Sequence, residues 1–547
     1  MKTAALFFAS VLGGAHAAAL SQPESFEPAG FNATQELERL GVQVKDLPAS
    51  SLSTRSLEQY ACPAACLSLS AIFGRDSVVT ENDDAYDQFT GAFWSEIQAD
   101  VDPQCIFKPS KAEDVSVVVL LSRLTQCPFA VKSGGHAAFA GASNIEGGIT
   151  VTFEKMQDVT VSCDKQKVKI QPGNTWGQVY DKLAKDEITV TGGRVGKVGT
   201  GGLTLGGGIS YFSNKYGWAC DNVLTYEVVT AAGFIINVTE KSNPSLYWAL
   251  RGGGNNFGIV TAFTFRAIPL PGGLMWGGTK TYLENDFSDL TEAFVQTIAN
   301  TPDDPNAGTW IAWLSQGGMK LAATEFWYAT PEGADAAIWE PYENLTAIAD
   351  STKERTHHEY AHAQDESNPY GFREVYYGLT VKAGSEVAAK ARDVFFEEQP
   401  KLADVEGANP VLIFQGITTE QIKHMSARGG NPLGINLADG PLYLIHVACW
   451  WSNAEDDERV YSWISNLLTR IESEASALGK QNDYIYMNYG SLYENVIANY
   501  GPDNVDKLNS IAKFYDPTAV FQKLQPGHFK LDRAPVPDDR FWSGVRS

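Results

Sequence analysis

Positive charge is scarce in this chain: 42 lysines and arginines stand against 65 aspartates and glutamates, a formal net charge of -23. A field of that sign repels phosphate backbones and anionic headgroups, which argues against nucleic acid and membrane surfaces as partners. Long apolar runs are also missing. A membrane span needs about twenty consecutive apolar residues, and the run from Ala4 to Leu12 stops short of that. Flanked by Lys2 and by Ala15-His16-Ala17, it has the layout of a signal peptide cleaved after Ala17, so the protein is expected to be secreted. Sequons at Asn32, Asn237 and Asn344 agree with that route as glycosylation sites. There is no internal repeat, no low-complexity tract, no G-x-G-x-x-G after a strand and no Walker A loop, so any nucleotide is held by another scaffold.

Cysteine is sparse, with seven in 547 residues. In an oxidising compartment some of Cys62, Cys66, Cys105 and Cys127 are expected to pair. The connectivity stays open, and the odd count leaves at least one thiol over. No second close cysteine or histidine pair accompanies Cys62 and Cys66, so no metal is expected there.

What is present is enough for two domains, since the length exceeds what one core organises. Residues 18–58, rich in Ser, Glu, Pro and Ala, lack sustained periodicity and read as a loosely packed leader. From Cys105 to Arg266 short strands and helices alternate, with glycines at nearly every junction. After Pro269, Pro271 and Gly272-Gly273 come longer alternating strands such as Gly308 to Leu314 and Leu442 to Trp450. The tail holds a helix from Val505 to Phe514.

Three glycine clusters carry the chemistry. In the first, the strand Phe129 to Lys132 runs into Ser133-Gly134-Gly135-His136. Glycines there let successive backbone N–H groups face one anion, with Lys132 and Ser133 as further donors. The second, Gly192 to Gly208, holds nine glycines in seventeen residues, spaced by apolar side chains that argue against a flexible linker. It suits close backbone approach to an extended ligand. The third, Leu246 to Val260, joins an apolar helix to Arg251-Gly252-Gly253-Gly254 and a strand.

In this order and spacing the clusters resemble the vanillyl-alcohol-oxidase-type FAD domain of berberine-bridge-enzyme-like oxidoreductases, over roughly residues 60 to 530. The resemblance implies an α+β fold: a PCMH-type FAD-binding domain of two α+β subdomains, with an inserted substrate domain built on an antiparallel sheet covered by helices. The implied division is 59–270 for the FAD-binding domain (core about 99–270), 271–490 for the substrate domain and 491–547 for a segment completing the first.

The cofactor implied is FAD, held through the 8α-methyl by His136. Its binding residues would be Lys132, Ser133, Gly134, Gly135, Gly193, Val195, Gly199, Thr200, Gly201, Gly202, Gly206, Gly208, Val260 and Asn488. Relatives with a second bond carry cysteine where Val195 stands, so a single tether is expected. The Tyr486-Met487-Asn488-Tyr489 segment resembles the family's Y-x-N-Y run, which makes Tyr489 the first candidate for catalytic base, with Tyr486 beside it. His446 stands roughly where relatives carry a polar active-site residue. The implied reaction is hydride transfer from a small organic substrate, a secondary-metabolite intermediate, to flavin and then O2 with release of H2O2. The partners are that substrate and O2, and the protein is expected to be a monomer. Alternatives are an oligosaccharide oxidase forming a lactone, and a flavin-bearing cyclase without net redox turnover.

One competing motif remains. His358-Glu359-Tyr360-Ala361-His362 satisfies H-E-x-x-H, the zinc-hydrolase pattern. Its flanks are polar on all sides and no third ligand follows at a family spacing, so the segment reads as a solvated face of the second domain.

Overall fold

The computed structural model describes residues 25–51, 57–532 and 538–544. The expected signal peptide lies outside the described residues. Strands Cys105–Phe107 and Phe129–Lys132 lie parallel on either side of Ile149–Thr152, with Val78–Val79 at one edge. Parallel strands need a covering crossover. Helix Ala112–Thr125 supplies it and buries Val115 and Val117 to Leu121. A second, antiparallel sheet runs in the order Val159–Val161, Lys167–Ile170, Ile259–Arg266, Val223–Val229, Ile235–Val238.

A third sheet of nine strands, all within residues 274–482, carries the rest. Its centre is Ala307–Gln316, Val411–Ile417, Leu442–Trp451 and Arg373–Lys382. Side chains alternate across a strand. Tyr443, Ile445, Val447, Cys449 and Trp451 therefore join a core with helices Phe287–Asn300, Ser385–Glu398 and Asp457–Ala477, while Leu442 and Leu444 join the core of the glycine-rich half. By the same alternation Gln415, Tyr376 and His446 stand on the face turned toward that half. Gly378 pairs with His446 in the register, and a Cβ there would lie 2.9 Å from that of His446. Helices Pro502–Tyr515 and Val520–Lys523 then return to the glycine-rich half, where Val520, Phe521 and Leu524 share a core with the parallel sheet.

The leader expectation is corrected here. Residues 25–51 are part of the packed fold: Asn32 caps helix Ala33–Arg39, Leu37 is fully buried and Glu27 pairs with Arg123 at 2.6 Å. Too few apolar positions show a period because the segment covers a core that other elements build. Cys62 pairs with Cys127 and Cys66 with Cys105, while Cys163, Cys220 and Cys449 stay as thiols. Closing loops of 65 and 39 residues stabilises the fold by about 4 kcal/mol each in the chain-entropy picture. Asn32, Asn237 and Asn344 are all exposed.

The H-E-x-x-H segment is not a solvated face. Helix His357–Ala363 wedges between the two halves, with His357, Tyr360 and Ala361 buried, His357 Nδ1 2.8 Å from Thr189 Oγ1 and Gly196 N–H donating to Ala361 C=O. His358 and His362 face Asp181. Glu359 closes a capping box with Thr356, so its carboxylate serves the helix terminus. The polar flanks concealed this because Tyr360, Ala361 and His357 form a narrow buried stripe.

Among the described residues no helix is long and apolar enough to cross a membrane.

Candidate active site

One long cavity lies between the glycine-rich half and the nine-stranded sheet, leaving about 320 Å³ to the centres of water-sized molecules. That is within the range of small-molecule sites. Four stretches form its walls: Ser133 to Phe139 after the parallel strand, Arg194 to Leu205 from the glycine run, Gly254 to Val260 from the third glycine cluster, and Tyr486 to Gly490 from the returning chain. Tyr376 projects in from the nine-stranded sheet, and Gln525 and His528 from the tail.

The loop after Lys132 has the features of an anion cradle. Gly135 has φ of +75°, and the N–H groups of Gly134, Gly135, His136 and Ala137 make no hydrogen bond to described residues. Free N–H groups in succession form a nest for a phosphate or similar anion. His136 is half-buried at this wall with its Nε2 enclosed and unpartnered, and desolvation pulls its pKa down to about 4. The imidazole is thus neutral, with a lone pair available. Trp94 stacks on it at 4.1 Å and 12°, and Tyr376 stacks on Trp94 in turn.

Of the residues picked from sequence, Ser133, Gly134, Gly135, His136, Val195, Gly199, Gly201, Gly202, Val260, Tyr486, Asn488 and Tyr489 line the cavity. Lys132 does not: its ammonium sits 5.1 Å over Phe93 and 5.3 Å over Phe89, on the strand face opposite Val131. The Ser133 hydroxyl lines the cavity but is already engaged, donating to Pro172 C=O and accepting from Gly201 N–H.

Most of the glycines serve loop packing. A Cβ on Gly134 would come 2.4 Å from Gly199 N, one on Gly206 2.1 Å from Asn488 Oδ1, one on Gly193 2.5 Å from Trp176, and one on Gly208 2.6 Å from Ala219. Gly193, Thr200, Gly206 and Gly208 lie outside the lining. At Gly202 a Cβ would meet nothing within 4 Å, so this residue opens directly onto the cavity.

The three residues picked for chemistry separate in role. The Tyr489 oxygen accepts from Arg194 Nη2 at 2.7 Å and Gln415 Nε2 at 3.1 Å, which leaves its own proton free for the cavity. Tyr486 is an internal anchor: its oxygen accepts from Gly208 N–H, Ile209 N–H and Asn488 Nδ2. His446 lies behind Tyr489, outside the lining, stacked on its ring at 4.1 Å. Burial, with Arg194 adding to it, pulls the His446 pKa down to about 3 and keeps the ring uncharged. Arg194, Gln415, Tyr376 and Trp94 carry no motif of their own. They meet only because the nine-stranded sheet is laid over the glycine run, although Arg194 is the one side chain in Gly192 to Val195 long enough to reach into a site.

The family whose description is "FAD binding domain" matches residues 103–239. The chain is 35% identical to the FAD-dependent monooxygenase tpcD of Cochliobolus heterostrophus over 455 residues, covering 80% of this chain and 87% of that protein. Among solved structures it is similar to 6-hydroxy-D-nicotine oxidase of Arthrobacter nicotinovorans, with a TM-score of 0.69 at 21% identity, covering 81% of this chain and 96% of that one. It is also similar to a variant of berberine bridge enzyme, with a TM-score of 0.69 at 16% identity, covering 84% and 98%.

Proposed function

Because the chain belongs to the FAD-dependent oxidoreductases of berberine-bridge-enzyme-like type, we propose that it is an oxidase of a small organic substrate. In this reading the FAD is held by a single covalent bond to His136 and O2 is the electron acceptor. The observation that carries the reading is the convergence of the free N–H groups of the 134–137 loop, the neutral imidazole of His136 and the Tyr489 hydroxyl on one cavity.

The residues present suit the cofactor. The 134–137 N–H groups and Gly201-Gly202 would hold its phosphates and chain, with Gln525, whose Oε1 is buried without a partner, as a further polar contact. Val195 has no thiol, so His136 would be the only tether. When bound, FAD supplies a two-electron hydride acceptor that O2 reoxidises with release of H2O2. The protein's own part is positioning and proton handling. Once its own proton has passed through the cavity to solvent, the Tyr489 oxygen, its negative charge met by the fixed donors of Arg194 and Gln415, would take the substrate hydroxyl or amine proton and return to the neutral phenol. Tyr486 and Asn488 hold that segment against Leu203 and Gly208. Trp94 and Tyr376 shield His136 from water.

The test is peroxide release by purified holoenzyme under air with candidate secondary-metabolite alcohols. Stoichiometric H2O2 is expected; a substrate that bleaches the flavin without yielding peroxide under air contradicts the oxidase reading. An N-terminal signal and glycans at Asn32, Asn237 and Asn344 belong to the same reading, supported by two disulfides and three exposed sequons.

A further inference from the structure

While Tyr489 keeps its proton, Arg194 is a cation without a counter-charge. It lines the cavity and is only partly buried, and among the described residues it makes no salt bridge. The acidic group that feels it is Glu325, whose carboxyl is bound to Thr279, Tyr360 and Gln364 and is pushed toward the neutral form by burial. The other groups facing Arg194 are the hydroxyls of Tyr489, Tyr211, Tyr486 and Tyr376 and the neutral ring of His446. An unpaired guanidinium at a cavity wall becomes costly once a ligand displaces the water around it, unless that ligand brings negative charge.

The donor geometry narrows what that ligand is. Nη2 gives one hydrogen to Gln415 Oε1 at 2.8 Å and the other to Tyr489 at 2.7 Å. Both forked edges of a guanidinium, Nη1 with Nη2 and Nε with Nη2, use an Nη2 hydrogen. Neither edge is therefore open to grip a carboxylate with two parallel bonds. What remains favours one oxygen at one point, beside the aromatic rings of Tyr376 and Tyr489, which stand 5.4 Å apart.

We infer that Arg194 receives a single ionised oxygen on a planar conjugated ligand, so that the substrate class is a phenol or an enol bound as its anion. This rests on the cavity being the substrate site of the flavoenzyme proposed above. It deepens that reading by assigning to Arg194 two roles, holding Tyr489 and choosing the substrate's charge.

Three probes of one shape test it on the flavin-loaded protein, read by perturbation of the flavin spectrum: 4-nitrophenol, 4-nitroanisole and 4-nitrobenzoate. Binding of 4-nitrophenol is expected to tighten as pH rises through that probe's own ionisation. The anisole should bind at least about tenfold more weakly, as should the carboxylate, a discrimination typical of one charge-assisted contact. Arg194→Met should erase the preference for the phenol over the anisole, and Arg194→Lys should keep part of it. Flavin content, measured on each variant, reports separately on the flavoenzyme reading. Failure of the wild type to bind 4-nitrophenol, equal binding of phenol and anisole, tighter binding of the benzoate, or an unchanged preference in both variants would each overturn the inference.

Discussion

Trp94 lies almost flat on His136, with ring centroids 4.1 Å apart and planes 12° apart; the tryptophan is buried behind the half-buried imidazole, which lines the cavity. Such a stack fixes the direction in which an imidazole nitrogen points without consuming its lone pair. Trp94→Leu is therefore expected to leave flavin bound but mostly non-covalent, released on acid denaturation, whereas Trp94→Phe keeps most of the bond. Retention of full covalent flavin in Trp94→Leu would show that the stack is packing alone.

Tyr489 and Tyr486 are separated by their hydrogen bonds. Tyr489→Phe removes the cavity hydroxyl that Arg194 and Gln415 hold, and should cut kcat/KM by about 10²–10⁴ at unchanged flavin content, the usual size of a lost general base. Tyr486→Phe should instead cost about 1–3 kcal/mol of stability, because it strips the acceptor from buried N–H groups. Steady-state kinetics beside thermal unfolding separates the two.

How much of this was legible in the sequence depends on whether a feature is local. The strand into Ser133-Gly134-Gly135-His136 and the Gly192 to Gly208 run announce themselves because turns and close approaches demand glycine along contiguous chain. What those glycines approach was not legible: Gly134 and Gly199 make room for each other, and Gly206 for Asn488. The Lys132 side chain alternates away from Val131, a consequence of strand period that a motif conceals. Gln415, Tyr376 and Trp94 are single residues on distant segments, assembled only by the register of the nine-stranded sheet and its docking on the first half. The packing of residues 25–51 is not legible in the sequence because the segment contributes single buried residues such as Leu37 to a core built elsewhere.

Arg251 and Asp221 form a buried ion pair at 2.6 Å, 0% and 1% exposed, and Arg251 Nη1 also donates to the carbonyls of Ala427 and Gly430. The pair joins the third glycine cluster and the segment following the second to the nine-stranded half. Breaking it by Arg251→Leu leaves Asp221 buried and uncompensated, so a loss of about 3–5 kcal/mol is expected in denaturant unfolding. A loss under about 1 kcal/mol would mean that the pair offsets only its own desolvation.

Acid should weaken the fold through buried histidines. His357 and His446 are pulled down from 6.5 to about 3 by burial. The unfolded chain takes up protons near pH 6.5 that the folded chain refuses until about pH 3. Stability is therefore full above 6.5 and falls with pH across that window, by about 1.4 kcal/mol per unit for each group. His357→Gln is expected to lower Tm at neutral pH, since the ring packs on Tyr180 at 3.8 Å, yet to flatten the slope of Tm against pH. An unchanged slope would place the acid sensitivity elsewhere.

The central claim is a single histidyl tether at His136. Its direct measurement is acid precipitation of the purified protein, followed by mass analysis of the peptide containing His136. Flavin should stay with the pellet, the peptide should carry one flavin mass, and His136→Ala should release all flavin to the supernatant. Complete release from the wild type, or a flavin mass on any other residue, would contradict the claim.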